Sequence, residues 1–175
     1  MGQWRDQDDL RVEHRSMDSK VHLIAYVLSK IEQAFATCNY RVERERDIWT
    51  AMTHGQVVVY RANWLLGSLD YGGFMYLLET EWHPHMSFLG SLDSLNEVGG
   101  FAYSHVVKEV FDLFPRNVLE GDAQGRAMQI EGLQPAIGLF MDAINRRFYA
   151  LHETPQPLAK LIADYIHTNK AWFFA

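Results

Sequence analysis

The sequence predicts an all-α protein, a single compact bundle of about seven helices, and three observations carry that prediction. Apolar residues recur at spacings of three and four along most of the chain, the period of one buried helix face. Glycine and proline fall at the ends of those periodic stretches, where helices start or stop. Aromatic residues make up 13% of the 175 residues, enough to fill the interior of one domain of this length without disulfide staples. Residues 1–18 are polar and mixed in charge and read as an N-terminal arm, and 19–175 read as one helical domain.

Ser19 suits an N-cap, and Ile24, Val27, Leu28, Ile31 and Phe35 hold one face until Thr37 and Asn39 end the period. A second helix is expected from about Arg41 to Met52, with Glu43, Arg44, Glu45, Arg46 and Asp47 as solvent-face pairs. The next stretch, Gln56 to Leu69, is strongly apolar. Val57-Val58-Val59-Tyr60 alone would suit a strand. Val58, Ala62, Leu65 and Leu69 nevertheless keep helical spacing with no turn between them, so a helix buried on most sides is expected. Tyr71-Gly72-Gly73 breaks it, and a short helix starts over Phe74 to Leu78.

His83-Pro84-His85 marks a loop, after which Phe88, Leu92, Leu95 and Val98 define a helix over Ser87 to Val98 that Gly99-Gly100 stops. Val107, Val110, Phe111 and Phe114 form the stripe of the next helix, Phe101 to Phe114, ended by Pro115. Both glycine pairs read as terminators that need positive φ. A polar loop through Gly121 and Gly125 leads to a helix with Leu133, Ile137, Phe140, Met141, Ile144, Phe148 and Leu151 in period and Pro135 in its first turn. Pro157 opens the last helix, through Leu161, Ile162, Tyr165 and Ile166, before Trp172-Phe173-Phe174.

The net charge of −6 argues against direct nucleic-acid binding, which needs a basic footprint. Its distribution is uneven. Residues 1–66 hold nine acids and nine bases, whereas Gly67 to Asp142 hold eleven acids against Lys108, Arg116 and Arg126. Such a stretch suits either a solvated surface that aids solubility or an anionic face for a cationic partner. The lone Cys38 excludes an intrachain disulfide and reads as a small, partly buried thiol, which fits a reducing compartment. No apolar run reaches membrane-spanning length. The start Met1-Gly2-Gln3-Trp4-Arg5-Asp6 has neither the apolar core of a secretory signal nor the Ser or Thr of a myristoylation pattern, so a cytoplasmic location is expected.

Several segments occur in the order of a known family. Leu69-Asp70-Tyr71-Gly72-Gly73-Phe74 is similar to an Asn-Gly-Gly-Phe turn between helices, with Tyr71 where the asparagine usually stands. Ser94-Leu95-Asn96-Glu97-Val98-Gly99-Gly100 is similar to an Ala-Leu-x-x-Ile-Gly-Ala segment, and Val106 to Pro115 to a helix ending in apolar-Phe-Pro. Asp142, Phe148-Tyr149, Tyr165-Ile166 and Phe173 follow its closing pattern. From about Val57 to Phe173 the chain thus resembles the bacterial domain of unknown function named for a DNA-mimic protein. The resemblance implies an all-helical fold, and carboxylates presented in place of DNA phosphates to occupy a DNA-binding protein.

On that reading the candidate partner-binding acids are Asp70, Glu79, Glu81, Asp93, Glu97, Glu109, Asp112, Glu120 and Asp122. DNA places a phosphate every ~3.4 Å along one strand, and helix residues three or four apart have Cβ atoms about 5–6 Å apart. Asp93 with Glu97, and Glu109 with Asp112, have that spacing; Glu79 with Glu81 and Glu120 with Asp122 flank loops. Taken singly, each is more simply a solvated charge. The expected function is therefore non-enzymatic binding of a protein partner, a DNA-binding regulator. The alternative is an immunity-type protein that neutralises a toxin, since acidic inhibitors cap basic sites by the same physics.

Catalytic constellations are not evident. There is no Gly-x-Ser-x-Gly, P-loop or Gly-rich dinucleotide turn, and Asp142 with Arg146 reads as an i, i+4 helix contact. The best metal cluster is His83 and His85 after Glu79 and Glu81, a third reading, but zincin spacing is missing. No cofactor or metal is assigned. Trp82, Trp172 and Phe173-Phe174 are candidate surface for a homodimer, with core or end-cap packing the preferred reading.

Overall fold

The computed structural model describes residues 20–37, 42–82, 86–114, 119, 121–133 and 137–174. The expected N-terminal arm, Ser19, Cys38, the His83-Pro84-His85 loop, Pro115, Glu120 and Pro135 lie outside these residues. The fold class is all-α. Among the described residues there are nine α-helices, one 3₁₀ turn and no strand. Two compact units divide the chain, one of residues 1–60 with 159–175 and the other of residues 61–158.

The first unit starts with α1 (Lys20–Thr37), which buries Ile24, Val27, Ile31 and Phe35 at the expected spacing. In α2 (Val42–Ala51) Arg46 and Asp47 are exposed, but Glu45 is buried. This corrects its expected place on the solvent face: Glu45, Ile48 and Trp49 share one helical stripe, and α2 turns that stripe inward. Phe35, Trp49 and Tyr60 form a ring triangle with centroids 5.5–6.0 Å apart. Helix α3 (His54–Glu79) begins here with a capping box. The Thr53 N–H donates to Gln56 Oε1 at 2.9 Å, and the Gln56 N–H donates to Thr53 Oγ1 at 3.3 Å. Late in the chain, the Thr53 hydroxyl donates to the carbonyl of Trp172 at 2.7 Å. Gly55 makes room for that segment, because a Cβ there would lie 2.8 Å from the Trp172 ring. Trp172 lies in the short helix Ala171–Phe174, where Phe173 is buried.

The second unit continues α3 through Ala62, Leu65 and Leu69, all buried, so the valine-rich run is helical as its spacing indicated. The expected break falls on one residue. Gly73 has φ 70° and ψ −166°, and the helix resumes through the buried Phe74, Leu77 and Leu78. Helix α4 (Phe88–Glu97) is capped by Ser87, whose side chain accepts from the Gly90 N–H. It closes on Gly99, at φ 82°, with the Gly100 N–H bonded to the Leu95 carbonyl at 2.7 Å. Gly100 itself has φ −81° and serves as the N-cap of α5 (Phe101–Phe111), so one glycine of each pair takes positive φ. α4 packs on α5, with Phe88 stacked on Phe111 at 5.0 Å.

The expected polar loop around Gly125 is instead a helix, α6 (Ala123–Glu131). Its buried face consists of Arg126 and Ile130, and an arginine does not register as the apolar marker of a helical stripe. Leu133 lies in the turn that follows, so α7 (Ile137–Ala150) starts later than the five-turn period suggested. α7 buries Ile137, Met141, Ile144 and Phe148 and packs on α5. A 3₁₀ turn (Leu151–Glu153) and Pro157 then lead to α8 (Leu158–Thr168), whose later residues return to the first unit. No helix among the described residues is long and apolar enough to cross a membrane.

Candidate functional site

Every described acid on the predicted face lies in the unit of residues 61–158. That unit holds twelve acidic and six basic residues, and the rest of the chain holds ten of each. The whole net charge of −6 therefore belongs to one unit.

Within it the acids differ in what surrounds them. Asp93 and Glu97 are exposed on α4, on the side away from the buried Phe88, Leu92 and Leu95. Leu89, 58% exposed, precedes them by one turn on the same stripe. Glu79 and Glu81 are exposed at the end of α3. Glu109 is half-buried and bound by both arms of Arg147, at 2.6 and 2.7 Å, with His105 Nε2 at 3.4 Å. The Arg147 guanidinium holds the Glu109 carboxyl below its usual range. Asp112 takes Lys108 Nζ at 2.6 Å on both oxygens. Asp122 caps α6, accepting from the Gly125 N–H at 2.6 Å. Asp93 and Glu79 form no ion pair among the described residues, whereas Glu109, Asp112 and Asp122 are already engaged. Glu120 lies outside the described residues.

Asp70 leads to a cluster that the sequence did not reveal. At the Gly73 kink α7 supplies two side-chain hydrogen bonds, one to each side of the break. Tyr149 donates its hydroxyl to the Leu69 carbonyl at 2.7 Å, and Asn145 Oδ1 accepts from the Phe74 N–H at 3.0 Å. A Cβ on Gly73 would lie 2.7 Å from the Asn145 amide, so glycine is required by contact as well as by φ. Burial, then the nearby Asp70 charge, raise the Tyr149 pKa above its ordinary value. His152 sits against Phe148, Tyr103 and Tyr149 at ring distances of 5.2, 5.8 and 6.1 Å. Its Nδ1 is 3.7 Å from Asp70 Oδ1, while its buried Nε2 has no hydrogen-bond partner among the described residues. Tyr103 in turn accepts the Leu158 N–H at 3.0 Å.

A second interior cluster closes the end of α3. Arg126 is fully buried and donates to the carbonyls of Leu78, Thr80 and Gly121 at 2.8, 2.6 and 2.7 Å. Its guanidinium lies 4.1 Å from the Trp82 ring centroid. The last carbonyls of a helix lack partners within it, and here a buried cation serves them. Burial lowers the Arg126 pKa, against which the charges of Glu81 and Asp122 act. Trp82, considered above as dimer surface, packs on Phe88 and Trp64 and donates to the Leu77 carbonyl. The expected Asp142–Arg146 pair does not form among the described residues. Both side chains are exposed, and the ion pair of α7 is that of Arg147, which reaches α5 where Glu109 waits.

The His83/His85 loop lies outside the described residues, and among those described no group of three or more His, Cys, Asp or Glu is placed to hold a metal ion. Asn145 and Tyr149 carried one signal, their spacing of four, but nothing local marked the kink as their partner.

The candidate acids, the kink and the Arg126 cluster fall within one stretch of the chain that matches a known family. Residues 50–169 match the family described as DMP19-like protein. The chain belongs to the DMP19-like protein family. The match starts earlier and ends sooner than the stretch from Val57 to Phe173, and it contains the whole of the 61–158 unit. The kink, the Arg126 cluster and all the candidate acids are therefore within the DMP19-like region, and α1 is outside it. No curated protein and no solved structure matches the chain.

Proposed function

We propose that this protein is a non-catalytic, acidic helical binding protein that occupies a protein partner, and that the partner is a DNA-binding protein engaged by DNA mimicry. Membership of the DMP19-like family, a DNA-mimic family, supports binding as the mode of action. The observation that carries the reading is the partition of charge, with the full −6 in the 61–158 unit and none in the remainder. Asp93 and Glu97, exposed and one turn apart on α4, are the acids best placed to stand for successive phosphates. Glu79, Glu81 and Asp70 add exposed acidic charge to the same unit, while Glu109 and Asp112 are paired with Arg147 and Lys108.

Attraction of this kind is screened over about 8 Å at physiological ionic strength. Affinity capture from host lysate at low salt, followed by elution with rising salt and identification by mass spectrometry, tests the proposal. A basic DNA-binding protein released by salt and displaced by duplex DNA is the expected result. Recovery of a toxin domain would transfer the function to neutralisation, and a bound protein indifferent to both salt and DNA would overturn the mimicry.

A further inference from the structure

Helix α4 contains no basic residue, and both of its acids lie in its second half. Phe88, Leu92 and Leu95 face inward, while Leu89 is the one large apolar residue of the helix left outside, 58% exposed. Leu89, Asp93 and Glu97 stand at i, i+4 and i+8, and all three are exposed. Helical geometry therefore sets them in one row on the outer face, about 6 Å apart along the axis. Glu97 is the last residue of α4, where a negative charge works against the helix dipole. Acids placed for the stability of α4 would occupy its first turn, and none stands there. The row thus begins in an apolar side chain and ends in a carboxylate at the negative end of the helix.

We infer that this row is a docking stripe for a basic helix of the partner protein lying antiparallel to α4, an inference that rests on the acidic-binding function proposed above. Charge complementarity selects a basic occupant, because the unit of residues 61–158 has twice as many acids as bases and α4 adds no cation of its own. The dipoles select its direction, since an antiparallel helix brings its positive N-terminus to Glu97. Two helices share the same rise, so cations one turn apart on the occupant meet Glu97 and Asp93, and an apolar residue one turn further meets Leu89. DNA-binding proteins present helices of this kind to the major groove. Leu89 supplies what the carboxylates cannot, an apolar contact that salt does not screen. A contact of this composition, apolar at one point and polar around it, is that of a protein interface.

The probe is a synthetic alanine-rich helical peptide with arginine, arginine and leucine at i, i+4 and i+8, titrated into the isotope-labelled full chain while backbone amide shifts are followed. The same peptide with glutamine for leucine serves as the comparison. Expected are shifts concentrated in residues 88–98 and tighter binding of the leucine peptide. Leu89→Ala should weaken the leucine peptide about three- to tenfold at low and high salt alike. Asp93→Asn should weaken both peptides, chiefly at low salt. An unchanged melting temperature in Leu89→Ala is expected of a side chain that acts outward, and a lowered one would assign Leu89 to the fold and overturn the stripe. Shifts centred elsewhere, or equal affinity for the two peptides, would also overturn it. Unchanged binding in Leu89→Ala with weakened binding in Asp93→Asn would overturn the stripe and leave the acidic-face function standing. Absence of binding to the wild-type chain would overturn the stripe as well, and the proposed function would then be judged by the lysate capture alone.

Discussion

Asn145 serves two purposes at one point in the structure. Its Oδ1 accepts the Phe74 N–H, and its amide occupies the space that a side chain on Gly73 would need. Phe74 is fully buried, so water has little access to that N–H once the acceptor is gone. An unsatisfied buried donor costs about 1–3 kcal/mol. Asn145→Ala is expected to lower stability by that amount, read from the shift of a urea unfolding curve. An unchanged midpoint would mean that the kink does not depend on this bond. Tyr149, one turn further along α7, serves the opposite side of the break, and burial raises its pKa above the ordinary tyrosine value.

At the scale of elements, two long side chains join helices that the chain separates widely. Arg126 of α6 closes the C-terminus of α3 through the Leu78 and Thr80 carbonyls and rests on Trp82. Hydrogen bonds to a charged group are worth roughly 1.5–3 kcal/mol each before mutual compensation. Arg126→Ala is expected to destabilise by about 3 kcal/mol or more, with Arg126→Lys recovering only part, because an ammonium lacks the planar fork and stacks poorly. Thermal unfolding of the two variants side by side checks the order. The Glu109–Arg147 pair joins α5 to α7 and titrates in a definite direction. The folded pKa of Glu109 is depressed by Arg147, so its contribution is complete above the unfolded value of about 4.3 and fades as pH falls through the folded one. Paired denaturation of wild type and Glu109→Gln across pH should show a difference at neutral pH that shrinks to nothing in acid. A difference independent of pH would assign the effect to packing.

For the whole molecule the relevant quantity is where the charge resides. One unit is neutral and the other carries −6, a distribution suited to steering a cationic partner toward one part of the chain. Reversing two exposed acids replaces attraction by repulsion at each. Asp93→Lys/Glu97→Lys is therefore expected to weaken a captured basic partner roughly tenfold at low salt and to flatten the salt dependence. Binding measured at two salt concentrations decides it, and equal loss at both would place the effect in local contacts.

The sequence by itself determined the helical class, most helix positions and the family. Those depend on local rules: Ile24 to Phe35 or Ile137 to Phe148 repeat within a few residues, and Ser87 and Gly99 act on their own turn. It also determined the acid excess, which composition alone reveals. Tertiary structure decided which of those acids have partners at home. Arg147 reaches Glu109 across 38 positions, in place of the nearby Asp142–Arg146 contact suggested by spacing. It decided that Asn145 and Tyr149 meet the kink across 71 and 80 positions, and that Arg126 lies inside the protein across 48 positions from Leu78. Periodicity reports which face of a helix turns inward, and carries no information about which distant segment the folded path brings against it.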